Sequence, residues 1–300
     1  MSTRQKSEFH AAAQKVRIET RAFIDGKFVE AADGGTFETV NPATGKVLAR
    51  VAAGGKAEID KAVVAARRSF EAGVWSGMAP RERKKALLRL ADLVEKNAAE
   101  LALLEVLDNG KPITDAMNAD LPDAIETLRW HAETIDKLYD WASPTPRDVS
   151  SIIVREPIGV VGAVIPWNFP LAITAMKIGP VLAAGNSLVI KPAEQTPLTA
   201  LRLAGLAVEA GIPDGVLNVV PGDGPTAGQA LGRHPDVDCL SFTGSTEVGR
   251  LFLKYAAESN LKRTSLELGG KSPAIVLDDV SDLRHVAEQV AIGILFSQGE

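Results

Sequence analysis

An α/β fold with a parallel sheet covered by helices on both faces is what this sequence predicts, and three observations carry that prediction. Short apolar runs rich in β-branched residues recur in the second half, at 158–165, Leu188–Lys191, Val216–Val220, Val237–Phe242 and Ala274–Leu277. Segments with helical spacing separate them, at about 170–183, 196–210, 225–232 and 245–257. The runs are nearly continuous in apolar residues, the pattern of strands buried on both faces by crossover helices. The third observation is size: 300 residues, 46% hydrophobic and 24% charged, suit a compact chain. A chain of that length buries about 75% of its unfolded surface, and by length alone holds about two domains.

The first third reads mostly as helix. Ile59, Val63, Ala66 and Phe70 recur at helical spacing within 57–72. Pro80 suits a first helical position, and Leu87, Leu90 and Val94 then mark one face. Asn109-Gly110 ends a further helical stretch, and Ile125, Leu128, Ile135 and Leu138 predict another helix over 123–141. Ser143-Pro144-Thr145-Pro146 is a breaker, followed by an extended run at 151–156 and then the first strand of the alternating half. No internal repeat or low-complexity tract is seen.

Composition excludes several function classes. Lys and Arg number 33 against 38 Asp and Glu, a net charge of −5, so no nucleic-acid partner is expected. Cys239 is the one cysteine, which rules out an internal disulfide framework and allows the reducing cell interior. His10, His131, His234 and His285 lie far apart, without the spacing of a zinc site. The most apolar stretch, Leu171 to Gly185, is broken by Lys177 and Pro180, so no membrane span is expected. The amino-terminal residues lack the apolar core of a secretory signal and give at most an amphipathic turn or two over 7–16. Glu8 and Glu19 argue against a mitochondrial presequence, and a cytoplasmic protein is expected.

Parallel sheets bind ligands at the carboxyl ends of their strands. After 158–165 comes Pro166-Trp167-Asn168-Phe169-Pro170, where Asn168 is either a helix cap or a rigidly held amide donor for an oxyanion. After Leu188–Ile190, Lys191 and Glu194 form either a solvated pair or a ribose clamp. A carboxylate in such a clamp favours NAD over NADP. After Val237–Phe242, Thr243-Gly244-Ser245-Thr246-Glu247-Val248-Gly249 opens a helix whose free N–H groups attract phosphate, unless it is only a tight turn. Glu267 precedes Gly269-Gly270 in an apolar setting, as a general base with a raised pKa or as a paired structural carboxylate. Cys239, within an apolar run and without a neighbouring histidine, reads as structural.

Together, the Pro166–Pro170 run, Lys191-Pro192-Ala193-Glu194, Phe242-Thr243-Gly244-Ser245-Thr246 and Glu267-Leu268-Gly269-Gly270-Lys271, in that order, resemble the NAD(P)-dependent aldehyde dehydrogenases. The likeness covers nearly the whole chain from about Phe23. Asp108-Asn109-Gly110-Lys111-Pro112-Ile113 and the stretch from Arg129-Trp130 to Ile135-Asp136-Lys137 look like the branch that oxidises γ-glutamyl-γ-aminobutyraldehyde.

The resemblance implies a Rossmann-like sheet with a truncated catalytic domain. It implies a cysteine thiolate attacking an aldehyde, an oxyanion held by Asn168, hydride transfer to NAD (NADP being the alternative), and water activated by Glu267. It assigns cofactor binding to Ile165, Pro166, Trp167, Lys191, Glu194, Gly224, Phe242, Gly244, Ser245, Val248 and Leu268, and the substrate tunnel to Ile173 and Met176. It places the dinucleotide domain at residues 1–141 and 157–268, an oligomerisation arm at 142–156 and the start of the catalytic domain at 269–300. In the family the nucleophilic cysteine follows two positions after the residue matching Glu300, a position where many members carry Gln. The expectation is therefore an amino-terminal portion, inactive alone, of a homodimeric or homotetrameric enzyme acting on a small aldehyde. A non-catalytic NAD-binding or structural module is the alternative. A P-loop phosphotransferase fits poorly, because Arg250-Leu251 replaces the required Lys-Ser/Thr and Ser265 the required Gly.

Overall fold

A computed structural model describes Phe9 and residues 11–299 of the protein. The turn expected over 7–16 lies partly outside the described residues, and Glu300 wholly so. Two strands that sequence reading missed open the fold, β1 (Ala22–Ile24) and β2 (Lys27–Val29). A separate hairpin follows, β3 (Thr36–Asn41) with β4 (Lys46–Ala52). Then come helices α1 (Lys56–Glu71), α2 (Pro80–Lys96), α3 (Ala98–Asn109) and α4 (Leu121–Thr134). A short ribbon pairs β5 (Trp141–Ala142) with β6 (Ile152–Ile153). The alternating half is β7 (Val160–Val164), α5 (Pro170–Ala183), β8 (Ser187–Lys191), α6 (Leu198–Glu209), β9 (Leu217–Val219), α7 (Gln229–Arg233), β10 (Cys239–Gly244), α8 (Thr246–Ala257) and β11 (Arg263–Leu268). Helix α9 (Leu283–Leu295) lies beyond it.

The central sheet has the order β11-β10-β7-β8-β9-β1-β2. Its first five strands are parallel, whereas β1 joins β9 antiparallel and β2 follows antiparallel, so the expected parallel sheet is a mixed one. The chain moves outward from β7 to β8 and β9, then returns to place β10 on the other side of β7. That reversal is a topological switch point, where the crossover helices leave a crevice at the strand ends.

Strand alternation divides the core into two layers. Val161, Ala163, Leu188 and Ile190 face a layer built from α2 to α6, with Leu87, Leu90, Leu128 and Ile178 at its centre. Val160, Val164 and Val189 face the opposite way, against Ile59, Val63 and Ala66 of α1 and Phe252 of α8.

Two other expectations are corrected, the helix over 123–141 and the strand at Ala274–Leu277. The helix predicted over 123–141 ends at Thr134, and Leu138 is exposed. The extended run at 151–156 pairs with Trp141–Ala142 and leaves Ile152 and Ile153 in solvent. Ala274–Leu277 forms no strand, and Ile275, Val276 and Leu277 find no sheet partner and are exposed.

Gly159 sets the start of β7. Its φ is +127°, and a Cβ there would meet an oxygen of the Asp238 carboxylate, the same oxygen that accepts the Val160 N–H at 2.7 Å. Gly159→Ala is expected to lower stability by more than about 1 kcal/mol, because alanine resists positive φ and displaces Asp238. The midpoint of urea unfolding checks this, and an unchanged midpoint would contradict the close approach.

Candidate active site

The register aligns Val164 of β7, Phe242 of β10 and Leu266 of β11 in one row. Residues just after that row therefore converge on one edge. Strands lie about 4.8 Å apart, so β7 and β11, separated only by β10, are about 10 Å apart.

The loop from Ile165 to Phe169 leaves β7 and enters α5 through Pro170, the first helical residue. Ile165 is buried, and its N–H donates to the Lys191 carbonyl at 3.2 Å, which carries the β7–β8 pairing into the loop. Trp167 is largely exposed and Pro166 half-buried. Asn168 does not cap α5. The residue at the cap is Phe169, without a side-chain hydrogen bond, and the Asn168 side-chain oxygen is buried without a partner among the described residues. A cap would have used that oxygen. The helix start is met instead by Glu105 of α3, whose carboxylate accepts the Leu171 N–H at 3.1 Å.

Lys191, at the end of β8, is 3% exposed, and its Nζ lies 3.0 Å from Glu194. Burial pushes the ammonium pKa down, opposed by the charges of Glu194 and Asp223. This is not the solvated pair of ordinary surfaces: the cation is buried and only the carboxylate is open. Glu194, Asp223 and Thr226 also line a cavity of about 750 Å³ that extends to Gly54 and Gly55.

Beyond β10, Ser245 precedes α8, and its Oγ accepts the Val248 N–H at 3.2 Å. The first N–H groups of a helix otherwise lack intrahelical partners. Gly224 faces open space where a Cβ would stand, and Val248 is exposed. Phe242 is buried and fills the place of a side chain on Gly244, while Leu268 closes over Gly249. On α5, Ile173 and Met176 lie on one face, half-buried and exposed respectively.

Glu267 is exposed, contrary to the buried setting read from its neighbours, because β11 is the edge strand of the sheet. It nevertheless sits one residue past the common row, on the same edge as Asn168. Lys177 of α5 faces it. Burial pushes the Lys177 ammonium pKa down, and the Glu267 charge opposes that shift.

The segment Phe296–Gly299 returns to this loop. Phe296 stacks on Phe169 with ring centroids 6.3 Å apart and planes at 15°. Gln298 Nε2 donates to the Gly110 carbonyl at 2.7 Å. Ser297, Gln298 and Gly299 have φ of 45°, 63° and 82°. Left-handed backbone at Ser and Gln costs about 1–3 kcal/mol each and persists only where surroundings enforce it.

Sequence reading missed two groups here. Lys177 was seen only as a break in an apolar run. The charged residues behind the loop, Glu105, Lys111 and Asp120, are all buried. The available signal was Glu105 alone in an otherwise apolar turn of α3. Among the described residues, no group of His, Cys, Asp and Glu is placed to hold a metal, and no helix is long and apolar enough to cross a membrane.

The sequence profile of the aldehyde dehydrogenase family matches residues 28–300. The chain belongs to the aldehyde dehydrogenase family. Aminoacetaldehyde dehydrogenase of Pseudomonas aeruginosa is 58% identical over 98% of the chain, and the NADP/NAD-dependent aldehyde dehydrogenase PuuC of Escherichia coli is 53% identical over 96%. The fold matches that of γ-glutamyl-γ-aminobutyraldehyde dehydrogenase from Burkholderia cenocepacia with a TM-score of 0.96 and 53% identity over 98% of the chain. Indole-3-acetaldehyde dehydrogenase AldA of P. syringae, solved as a cysteine-to-alanine mutant in complex with NAD+ and IAA, gives a TM-score of 0.96 and 51% identity over 98% of the chain. The chain spans 58–60% of the length of these four proteins. The α/β architecture with its mixed sheet is thus that of aldehyde dehydrogenase structures.

Cys239 lies at the other end of β10, three residues before the common row and about 10 Å from it. Burial pushes its thiol pKa up, helped by Asp238 and opposed by Arg263. In this aldehyde dehydrogenase chain, Cys239 is expected to react with a disulfide reagent at pH 8 more slowly than free cysteine. Denaturant should restore the free-cysteine rate. Absorbance of the released thiolate checks this, and a rate above that of free cysteine would contradict a structural role.

Proposed function

We propose that the protein carrying this sequence oxidises a small aldehyde to its carboxylic acid with NAD+, and that this chain supplies the cofactor-binding edge and the oxyanion donor. One observation carries the reading. The Asn168 amide, in the loop that leaves β7, makes no cap, and its Nδ2 donates to none of the described residues, while its neighbour Phe169 stacks on Phe296 of the returning segment. A side chain held this way by its backbone alone is available to a reacting group.

The residues at the edge suit NAD. Lys191 and Glu194 would hold the adenosine ribose, Ser245 and the start of α8 the pyrophosphate, and Gly224 and Val248 the adenine. Ile165, Pro166, Trp167, Phe242, Gly244 and Leu268 would shape the rest of the cleft. The exposed Glu194 carboxylate favours a free 2′-hydroxyl over a 2′-phosphate, so NAD is the preferred cofactor and NADP the weaker one. When bound, the cofactor accepts a hydride.

The nucleophile in this reading is the cysteine that the resemblance places two positions after Glu300. Its thiolate adds to the aldehyde carbon, and the Asn168 amide donates to the oxygen as negative charge develops there. Loss of hydride leaves a thioester. Glu267 takes a proton from the water that hydrolyses it. Ile173 and Met176 line the approach for the aldehyde. The names of the relatives support a short amino- or amido-aldehyde, such as aminoacetaldehyde or γ-glutamyl-γ-aminobutyraldehyde.

In the same reading residues 1–141 and 157–268 make the dinucleotide domain, and 269–300 begin the catalytic one. The β5–β6 ribbon, with Trp141, Ile152 and Ile153 in solvent, is an arm for a neighbouring subunit of a cytoplasmic homodimer or homotetramer.

The test follows NADH formation by the natural gene product with those two aldehydes. Asn168→Ala is expected to lower kcat about 10²- to 10³-fold, roughly 2.7–4 kcal/mol, with the NAD+ Kd unchanged. The 300-residue polypeptide is expected to form no NADH. An unaltered kcat in Asn168→Ala would overturn the reading.

A further inference from the structure

Helix α3, AAELALLEVLDN, packs into the core, yet Glu105 on it is 0% exposed. The chain then turns at Gly110, with φ of +93°, and brings Lys111 inside at 1% exposed, against Asp120 at 2%. Lys111 Nζ lies 2.7 Å from Asp120 Oδ2 and 3.6 Å from Glu105 Oε1. Burial pushes the Glu105 and Asp120 carboxyl pKa values up, and Lys111 opposes both shifts.

Buried ion pairs are costly to form, and an apolar replacement is often neutral or stabilising. Stability alone is therefore a weak reason for three charges here. What they touch is specific. Lys111 Nζ sits 4.1 Å from the centre of the Phe169 ring. Glu105 accepts the Leu171 N–H. Asn109, next in the chain, donates from Nδ2 to the carbonyls of Trp167 at 2.9 Å and Asn168 at 3.2 Å, while its Oδ1 accepts the Lys111 N–H at 3.1 Å. Residues 167, 168, 169 and 171 are thus each held from behind, and the Asn168 side chain makes no hydrogen bond among the described residues. The carbonyl of Gly110, inside the same turn, accepts from Gln298, and Phe169 also carries Phe296.

We propose that Asn109 and the buried Glu105–Lys111–Asp120 group are positioning residues that fix the backbone of the Asn168 loop, and with it the amide, relative to the segment Phe296–Gly299. This rests on Asn168 being the oxyanion donor. The network touches neither substrate nor cofactor. It acts by denying the loop other conformations, so that the amide meets the developing charge without reorganising.

The test compares Asn109→Ala, Lys111→Met, Lys111→Arg and Asn168→Ala in the natural gene product, by the first-turnover burst of NADH and by amide hydrogen exchange of residues 167–171 without cofactor. Asn109→Ala and Lys111→Met are expected to slow the burst at least tenfold at full amplitude, with the NAD+ Kd within threefold of the unaltered protein. Exchange over the loop should quicken at least tenfold, and Lys111→Arg should recover part of both. A merely structural role would lower burst amplitude and leave its rate unchanged, and that result overturns the proposal. Asn109→Ala leaves the charges in place and decides the matter if Lys111→Met does not fold. Failure of Asn109→Ala to fold would assign the network to stability and overturn the proposal as well. A slow Asn168→Ala burst beside normal Asn109→Ala and Lys111→Met bursts defeats this proposal alone. A normal Asn168→Ala burst defeats the oxyanion reading and this proposal with it.

Discussion

Everything at this site depends on β7 sharing its hydrogen bonds with β8 on one side and β10 on the other. Those two ladders, with the β10–β11 ladder beyond them, place four chain exits on one edge: the Asn168 loop, the Lys191–Glu194 turn, the Ser245 helix start and the end of β11. No exit alone has the chemistry. A lysine and a glutamate three residues apart are commonplace, and a helix start after a glycine is equally so. In a parallel sheet, however, strand ends of like direction gather, and the backbone hydrogen bonds that define register also define which side chains meet. Slipping β10 by one residue against β7 would turn Phe242 out of the core and Ser241 into it. The apolar pattern of β10 forbids that slip, so the same residues that bury the sheet also align the site.

The alternating half of the molecule was legible because its inner strands are buried on both faces and its helices have one apolar stripe. Val160–Val164 and Ser187–Lys191 carry that signal plainly, and Cys239–Gly244 is buried on one face. The strands of residues 22–52 carry little of it. Ala22–Ile24 and Lys27–Val29 are three residues each, too short for period-two alternation to emerge, and they gain their place by extending an existing sheet edge. Ala274–Leu277 shows the converse. Its apolar β-branched residues satisfy local propensity, yet a strand requires a partner, and none of the described elements offers one.

Of the site, the four loops were legible by type and order, and the setting of each side chain was not. Asn168 between two prolines reads equally as cap or donor. Only the geometry of Phe169 at the cap and the unpartnered oxygen excludes the cap. Glu267 among apolar neighbours reads as buried, but apolar neighbours in sequence say nothing about which strand lies outside β11. Lys111 could not have been found by spacing at all, since its partners Glu105 and Asp120 lie on two different elements and meet only after the turn at Gly110.

Asn168 and Glu267 reach the same edge in opposite electrostatic circumstances. The amide has its oxygen buried and its backbone carbonyl held from behind by Asn109. Fixed dipoles in a region of low dielectric stabilise new charge without the reorganisation that water would need. The carboxylate of Glu267 stands exposed on the edge strand β11. Lys177 is buried, which pushes its ammonium pKa down, and the charge of that carboxylate opposes the shift. The proposed donor on the inner strand is thus half-buried and the proposed base on the outer strand is exposed. The order of strands, β7 inside and β11 at the rim, creates that division before any side chain is chosen.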